Sequence, residues 1–296
     1  MTKLGFIKDA RWVDVDQDGD EDLAIAAEWL PITFLINEKG TLNQLSIEGT
    51  GLENTEGWWN TLEAKDYDED GDLDFVFGNL GLNSKLKASD KEPVRLYVSD
   101  FDDNGTTECV LSHYMEGKEY PFYTRDEMTK QLPYLKKRYL SYQKFGEATI
   151  KDIFNKEQLD KSEKLIVQEF RHVYVENLGK NKFKVKPLAM ATQFSTLNAV
   201  ISDDFDKDGH LDFIEAGNFY PINVQMGRYD ASYGLFMKGD GKGNFTAIPP
   251  YQSGVSIPGE TRFLRELKVG SNKFVAAVRN NNTLLILSSE GNTVLK

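Results

Sequence analysis

"DVDQDGDEDL", residues 14–23, places five aspartates and one glutamate in ten positions around a single glycine. Carboxylates this close repel one another, so such a cluster persists in a folded chain only where a cation occupies it or where it stays solvated. The alternation of Asp14, Asp16 and Asp18, followed by Gly19 and then Asp22, turns side-chain oxygens toward a common centre, and the glycine permits the sharp bend. Calcium takes roughly six to eight hard oxygen ligands at about 2.3–2.6 Å. A D-x-D-x-D-G segment supplies three carboxylates toward that shell, with backbone carbonyls and water completing it, whereas magnesium takes fewer protein ligands.

A lone acidic turn is weak evidence, because glycine-containing acidic turns are common and usually solvated. Here the pattern recurs as "DYDEDGDLDF" from Asp66, "DFDDNGTTEC" from Asp100 and "DFDKDGHLDF" from Asp204. Each copy carries an acid or amide at relative positions 1, 3 and 5, glycine at 6 and an acid at 9, the last being Asp22, Asp74, Glu108 and Asp212. An EF-hand needs a bidentate Glu at position 12 between two helices. Position 12 here is Ile25, Phe77, Leu111 and Glu215, so only the last fits, and the flanks "RWVDVD", "LAIAAEW", "VRLYVSD" and "CVLSHY" read as strands. The motif therefore joins two antiparallel strands of a hairpin.

A second hairpin follows in "FLINEKGTLNQL", "HVYVENLGKNKFKVK" and "YGLFMKGDGKGNFTAI". Together the two hairpins make a four-stranded unit of about fifty residues, the size of a propeller blade. Loop starts are 52, 34 and 104 residues apart, which predicts an abbreviated second blade and a third with an insertion. The expected architecture is an all-β propeller of about five four-stranded blades, forming a single domain over 1–296 and possible to close or to leave as an open arc. The blades are expected at 1–57, 58–92, 93–195 with a helical insertion at 120–165, 196–257 and 258–296. The fifth is degenerate, with the ordinary turn "GSNK" in place of a metal loop.

These residues resemble the FG-GAP or VCBS-type calcium-loop propellers, which include the integrin α-subunit head and bacterial surface proteins related to the ASPIC/UnbV group, of the kind found in Bacteroidota. The resemblance extends over almost the whole chain, and "DARWVDVDQDGDEDLAIAAEW", "GWWNTLEAKDYDEDGDLDFVFGNLGLNS" and "YPFYTRDEMTKQLPYLKKRYLSY" look like segments of the bacterial surface members. It implies up to four calcium sites with ligands at Asp14, Asp16, Asp18 and Asp22; at Asp66, Asp68, Asp70 and Asp74; at Asp100, Asp102, Asn104 and Glu108; and at Asp204, Asp206, Asp208 and Asp212. Position 7, which is Asp20, Asp72, Thr106 and His210, would donate its carbonyl. The third loop departs most from the pattern, through Asn104 and Glu108, and is expected to lose its ion first. Relatives of this kind are longer and exported, so the resemblance also implies a C-terminal portion of an extracellular, cell-surface or periplasmic protein, although "MTKLGFIKDARW" has no signal-peptide core.

The composition agrees with this reading. Apolar residues at 40% and aromatics at 12% are enough for a sizeable core in 296 residues. A net charge of −12 opposes phosphate and argues against a nucleic-acid partner. No run of 18 apolar residues marks a membrane-spanning segment. Cys109 has no intrachain partner and is expected to be a buried small residue. His113, His172 and His210 lack zinc-ligand spacing, and no G-x-S-x-G, H-E-x-x-H or phosphate loop is present. Acids that might form a glycosidase dyad lie mostly in the metal loops, where coordination would hold them ionised. No catalytic residue is therefore assigned.

The expected function is a non-enzymatic calcium-binding propeller that presents an adhesion or binding surface to an unknown protein or glycan. The alternative is a polysaccharide lyase or hydrolase, or its accessory module. Trp29, Trp58 and Trp59 are candidate sugar-stacking residues, though packing is the simpler reading. Asn83 and Asn218 are candidates for a shared face, although Gly78–Asn79 and Gly217–Asn218 read first as turns. In the insertion, Thr124 and Glu127 form a capping box, Met128, Leu132 and Leu135 an apolar stripe, and "TIKDIFNKEQL" a second helix. Lys136, Lys137, Arg138 and Lys144 make a basic patch there, interleaved with Tyr134, Tyr139 and Tyr142 and read either as a solvated cover or as a dock for an acidic partner or an anionic polysaccharide.

Overall fold

The computed structural model describes residues 5–223, 226–288 and 291–293, arranged mostly as antiparallel sheets with a few short helices. The chain divides into two compact units, Met1–Lys85 with Phe170–Lys296, and Leu86–Glu169, where the sequence predicts a single domain.

In the larger unit, β1 (Phe6–Val13) and β2 (Asp22–Leu30) flank the first acidic loop, and β3 (Thr33–Glu38) and β4 (Thr41–Gln44) complete that sheet in the order β1-β2-β3-β4. The short β5 (Gly57–Trp58) pairs with the far end of β2. The second loop lies between β6 (Thr61–Lys65) and β7 (Asp74–Gly78). The chain then enters the smaller unit.

There β8 (Val94–Ser99), β9 (Glu108–Met115), β10 (Lys118–Pro121) and β11 (Glu163–Val167) form a sheet in the order β10-β9-β8-β11. Between β10 and β11 run α1 (Arg125–Gln131), α2 (Leu135–Arg138), α3 (Tyr142–Gly146), α4 (Ile150–Ile153) and α5 (Lys156–Lys161). Thr124 and Glu127 form the capping box of α1, and Met128, Leu132 and Leu135 are fully buried against Phe145, Ile150 and Phe154. The helix expected over 149–159 is two, because Asn155 caps a new helix in a second box with Gln158.

Back in the larger unit, β12 (Val173–Asn177) pairs with β7, and β13 (Phe183–Pro187) pairs with β12. This overturns the blade division at 58–92 and 93–195. The second sheet is a full four strands, β13-β12-β7-β6, and the smaller unit is inserted in sequence between its two hairpins. The pairing follows the apolar faces: Val173 and Val175 join Phe75, Phe77, Phe34 and Phe183 in one fully or nearly buried cluster.

The next sheet is β14 (Leu197–Asp203), β15 (Asp212–Gly217), β16 (Leu235–Gly239) and β17 (Phe245–Ile248), followed by the one-turn α6 (Pro250–Ser253). The last is β18 (Thr261–Val269), β19 (Asn272–Arg279), β20 (Leu285–Ser288) and β21 (Gly291–Thr293). Within this unit the edge strands adjoin in series, β1 beside β6, β6 beside β14 and β14 beside β18. Successive sheets bury their faces together: Tyr67, Val76 and Tyr174 meet Phe213 and Met237, and Ile214 and Ala216 meet Leu264, Val275 and Leu285. Among the described residues no helix is long and apolar enough to cross a membrane.

Cys109 departs from expectation and is exposed. On β9 the inward positions alternate as Glu108, Val110 and Ser112, which turns the cysteine outward.

Candidate metal loops

The four loops share one backbone. Position 4, occupied by Gln17, Glu69, Asp103 and Lys207, has φ from 55° to 64°, and the glycine at position 6 has φ from 85° to 98°. A Cβ on Gly19, Gly71, Gly105 or Gly209 would meet no atom within 4 Å, so backbone conformation rather than space calls for glycine there.

Two hydrogen bonds close each turn. The glycine N–H donates to the position-1 carboxylate, at 3.1 Å to Asp14, 3.1 Å to Asp66, 2.7 Å to Asp100 and 3.0 Å to Asp204. The position-7 N–H of Asp20, Asp72, Thr106 and His210 donates to Asp18, Asp70, Asn104 and Asp208. The position-9 acid then ties the loop to its sheet, accepting from the position-2 N–H of Val15, Tyr67, Phe101 and Phe205. In the three loops of the larger unit its second oxygen accepts from the third strand, through Asn37, Asn177 and Gly239. Asp22, Asp74 and Asp212 are thus anchors of the loop in the first instance.

This scaffold gathers ligand atoms lying within 4.8 Å of one another in Asp14, Asp16 and Asp18; in Asp66, Asp68 and Asp70; in Asp100, Asp102 and Glu108; and in Asp204, Asp206 and Asp212. Whether a cation fits is answered by the oxygens that the protein leaves unserved. One carboxylate oxygen in each of Asp14, Asp16, Asp66, Asp68, Asp72 and Asp102 is buried without a hydrogen-bond partner. Buried acceptors in that condition are costly. Burial, then the neighbouring carboxylates, raises the pKa of Asp16 and of Asp68, and the same causes push Asp72 up to about 6. Burial, helped by the Asp68 charge, outweighs the hydrogen bonds from Tyr174, Asn177 and Tyr67 and carries Asp74 to about 7. A hard cation would supply both missing partners and opposing charge, so the residues fit one.

The loops are not equivalent. The residue just before the third-strand donor is Ile36 in the first sheet, Glu176 in the second and Lys238 in the fourth-loop sheet. Glu176 adds a negative charge that helps raise Asp68. The Lys238 ammonium instead pairs with Asp206 and, at 2.7 Å, with Asp208. No oxygen of Asp204, Asp206, Asp208 or Asp212 is left buried and unpartnered. The fourth loop therefore contains its own counter-cation, a charge that opposes a metal there and that the third loop does not carry in the same position. Sequence reasoning missed Lys238 and Glu176 because they lie on a different strand from the motif, although strand register identifies both. Neighbouring loops also touch: Gln17 donates to the Gly71 carbonyl at 2.9 Å, and His210 Nδ1 bonds Glu69 at 2.6 Å, which raises the histidine pKa.

The other expected site residues fare differently. Trp58 is half-buried and lines a cavity, but Trp59 is fully buried and donates its indole N–H to the Thr55 carbonyl. Asn218 is also interior, accepting from Ser195 and Ser232 and donating to the carbonyls of Ser232 and Gly259. Neither belongs to a surface. Gly217 before it has no room for a side chain, since a Cβ would stand 1.7 Å from the Thr196 carbonyl oxygen. Asn83 is exposed and donates to the Phe194 carbonyl. Lys136, Lys137 and Arg138 are exposed on α2, but Arg138 is held by the carbonyls of Asp152 and Ile153. His172 is a fully buried hub: its Nδ1 accepts from Asn79, its other nitrogen meets the Ser195 carbonyl, and burial lowers its pKa to about 4.

Residues 14–77, which contain the first two loops, match the FG-GAP-like repeat family. None of the curated proteins compared with the chain matches it.

Proposed function

We propose that the chain is a non-enzymatic, calcium-binding propeller module of FG-GAP type that presents a binding surface outside the cell to a glycan or protein. The supporting observation is the set of buried carboxylate oxygens without partners, in loops of one shared backbone. Calcium is the favoured ion because the donors are all oxygens and the loops offer several acids each, more than magnesium usually takes from protein. The adjoining edge strands of successive four-stranded sheets suit a propeller. Extracellular modules bind calcium with dissociation constants of about 10⁻⁴–10⁻³ M, a range matched to calcium outside cells.

Because an unfolded chain has no preformed site, calcium should stabilise the fold. At about 100 times its dissociation constant, each independent site contributes about 2.7 kcal/mol. Melting in calcium and again in excess chelator tests this: a large fall in melting temperature is expected, and identical curves would refute the reading. Incubation with polysaccharides, followed by analysis for new reducing or unsaturated ends, tests the absence of turnover, and any such ends would favour the lyase or hydrolase alternative.

A further inference from the structure

A cavity of about 430 Å³ in the larger unit lies among β1, β6, β14 and β18. Its size is that of a small-ligand site. Its charge runs against that of the protein: on a chain of net charge −12 it is lined by Lys8, Arg11, Arg262 and Arg265 against only Asp9 and Glu28. The acids are already engaged. Glu28 pairs with Lys8 at 3.1 Å, and Asp9 pairs with Arg11 at 2.6 Å while also accepting from Thr61 and Leu62. Arg262 is held by Glu260. Arg265 is exposed and has no carboxylate within ion-pair distance among the described residues; it donates to the Leu264 carbonyl, and its charge reaches the half-buried Glu63 on β6 only at longer range.

Two other lining residues carry donors that nothing among the described residues engages, the Trp58 indole N–H and the Thr196 hydroxyl. Aromatic surface stands beside them. Trp29 and Trp58 meet edge to face at 5.2 Å, and the Phe219 ring lies under the Arg262 guanidinium at 5.4 Å. The cavity thus offers hydrogen-bond donors, an exposed guanidinium without an ion-pair partner that can take a carboxylate, and ring faces for the apolar side of a sugar.

We infer that this cavity binds a carboxylate-bearing sugar, a uronic acid unit of one or two rings. The inference rests on the reading of the protein as a binding module and names the ligand class of that module. Arg265 holds the carboxylate, Thr196 and Trp58 bond the ring oxygens, and the aromatic residues pack against the ring.

Calorimetric titration of the full chain in calcium with digalacturonate, with a neutral digalactoside and with inorganic phosphate tests it. Digalacturonate should bind at least tenfold more tightly than either control. Arg265→Gln should weaken it at least tenfold and Thr196→Val severalfold, and salt should weaken the unmodified protein's binding. Each variant is first checked for an unchanged calcium-dependent melt. If Arg265→Gln fails that check, the salt dependence and the neutral-sugar comparison decide instead. Absence of binding, equal affinity for the neutral sugar or for phosphate, or a folded Arg265→Gln variant of undiminished affinity would overturn the inference. A normal calcium-dependent melt without digalacturonate binding would overturn this ligand alone and leave the metal reading intact.

Discussion

Glu215 lies three residues beyond the fourth loop, only 4% exposed, on a strand paired with Val200 on one side and Leu235 on the other. Its Oε2 has no hydrogen-bond partner, and burial alone pushes its pKa from 4.5 to about 8. The folded chain therefore keeps this acid protonated at neutral pH while the unfolded chain ionises it. Below pH 4.5 both states hold the proton and the shift costs nothing; the cost grows as pH rises through the interval between the two values and is complete above about 8. At about 1.4 kcal/mol per pKa unit, the loss is about 3 kcal/mol at pH 7 and approaches 5 kcal/mol at pH 9, against less than about 1 kcal/mol at pH 5.

Glu215→Gln has the same shape and no charge to acquire. The stability of the unmodified protein minus that of the variant should therefore fall by about 4 kcal/mol between pH 5 and pH 9. For a unit of this size that corresponds to about 8–16 °C in the difference of melting temperatures. Both proteins should be melted at the same saturating calcium, so that metal-linked titrations cancel in the difference. A difference that stays flat with pH would refute the assignment of a buried neutral acid.

Asp68→Ala should remove one bound calcium ion and most of the second loop's response to chelator, whereas Asp206→Ala should change neither by much, because Lys238 already neutralises that loop. Lys238→Met should add one ion to the stoichiometry measured by native mass spectrometry or calorimetry, and an unchanged count would refute the role given to the ammonium. Gly71→Ala should cost about 1–3 kcal/mol through its φ of 98° alone, since no atom obstructs the new methyl group, and the loss should appear equally in calcium and in chelator.

What could be read from the chain was local. The metal loops were legible because their geometry is set within nine residues: a glycine that tolerates positive φ, a position-1 carboxylate that accepts its N–H, and a position-9 acid that reaches back to position 2. The capping box at Thr124 was legible for the same reason, its two hydrogen bonds spanning three residues. Where the outcome depended on distant pairing, the reading failed. Val175 pairs with Phe75, a hundred residues earlier, and nothing near either residue announces it. Proximity in sequence assigned the "HVYVENLGKNKFKVK" hairpin to the third loop instead of the second sheet. Trp58 and Trp59 are neighbours of identical chemistry, and it is the pairing of Trp58 with Glu28 that puts one beside a cavity and the other in the core.

The same division governs the function of the loops. Their residues prescribe a cradle of oxygens, but how strongly the cradle wants a cation depends on a third-strand residue that the motif does not contain. An acid there, Glu176, deepens the negative field of the second loop, and an amine, Lys238, occupies the fourth. Four near-identical motifs can therefore differ in metal content through residues far along the chain, Lys238 lying 32 positions from the Asp206 it pairs with and Glu176 next to the Asn177 that is 103 positions from Asp74. Ranking such loops by their own charge places the third last, whereas adding the cross-strand neighbour counts Lys238 against the fourth. The calcium count of Lys238→Met decides whether that neighbour matters.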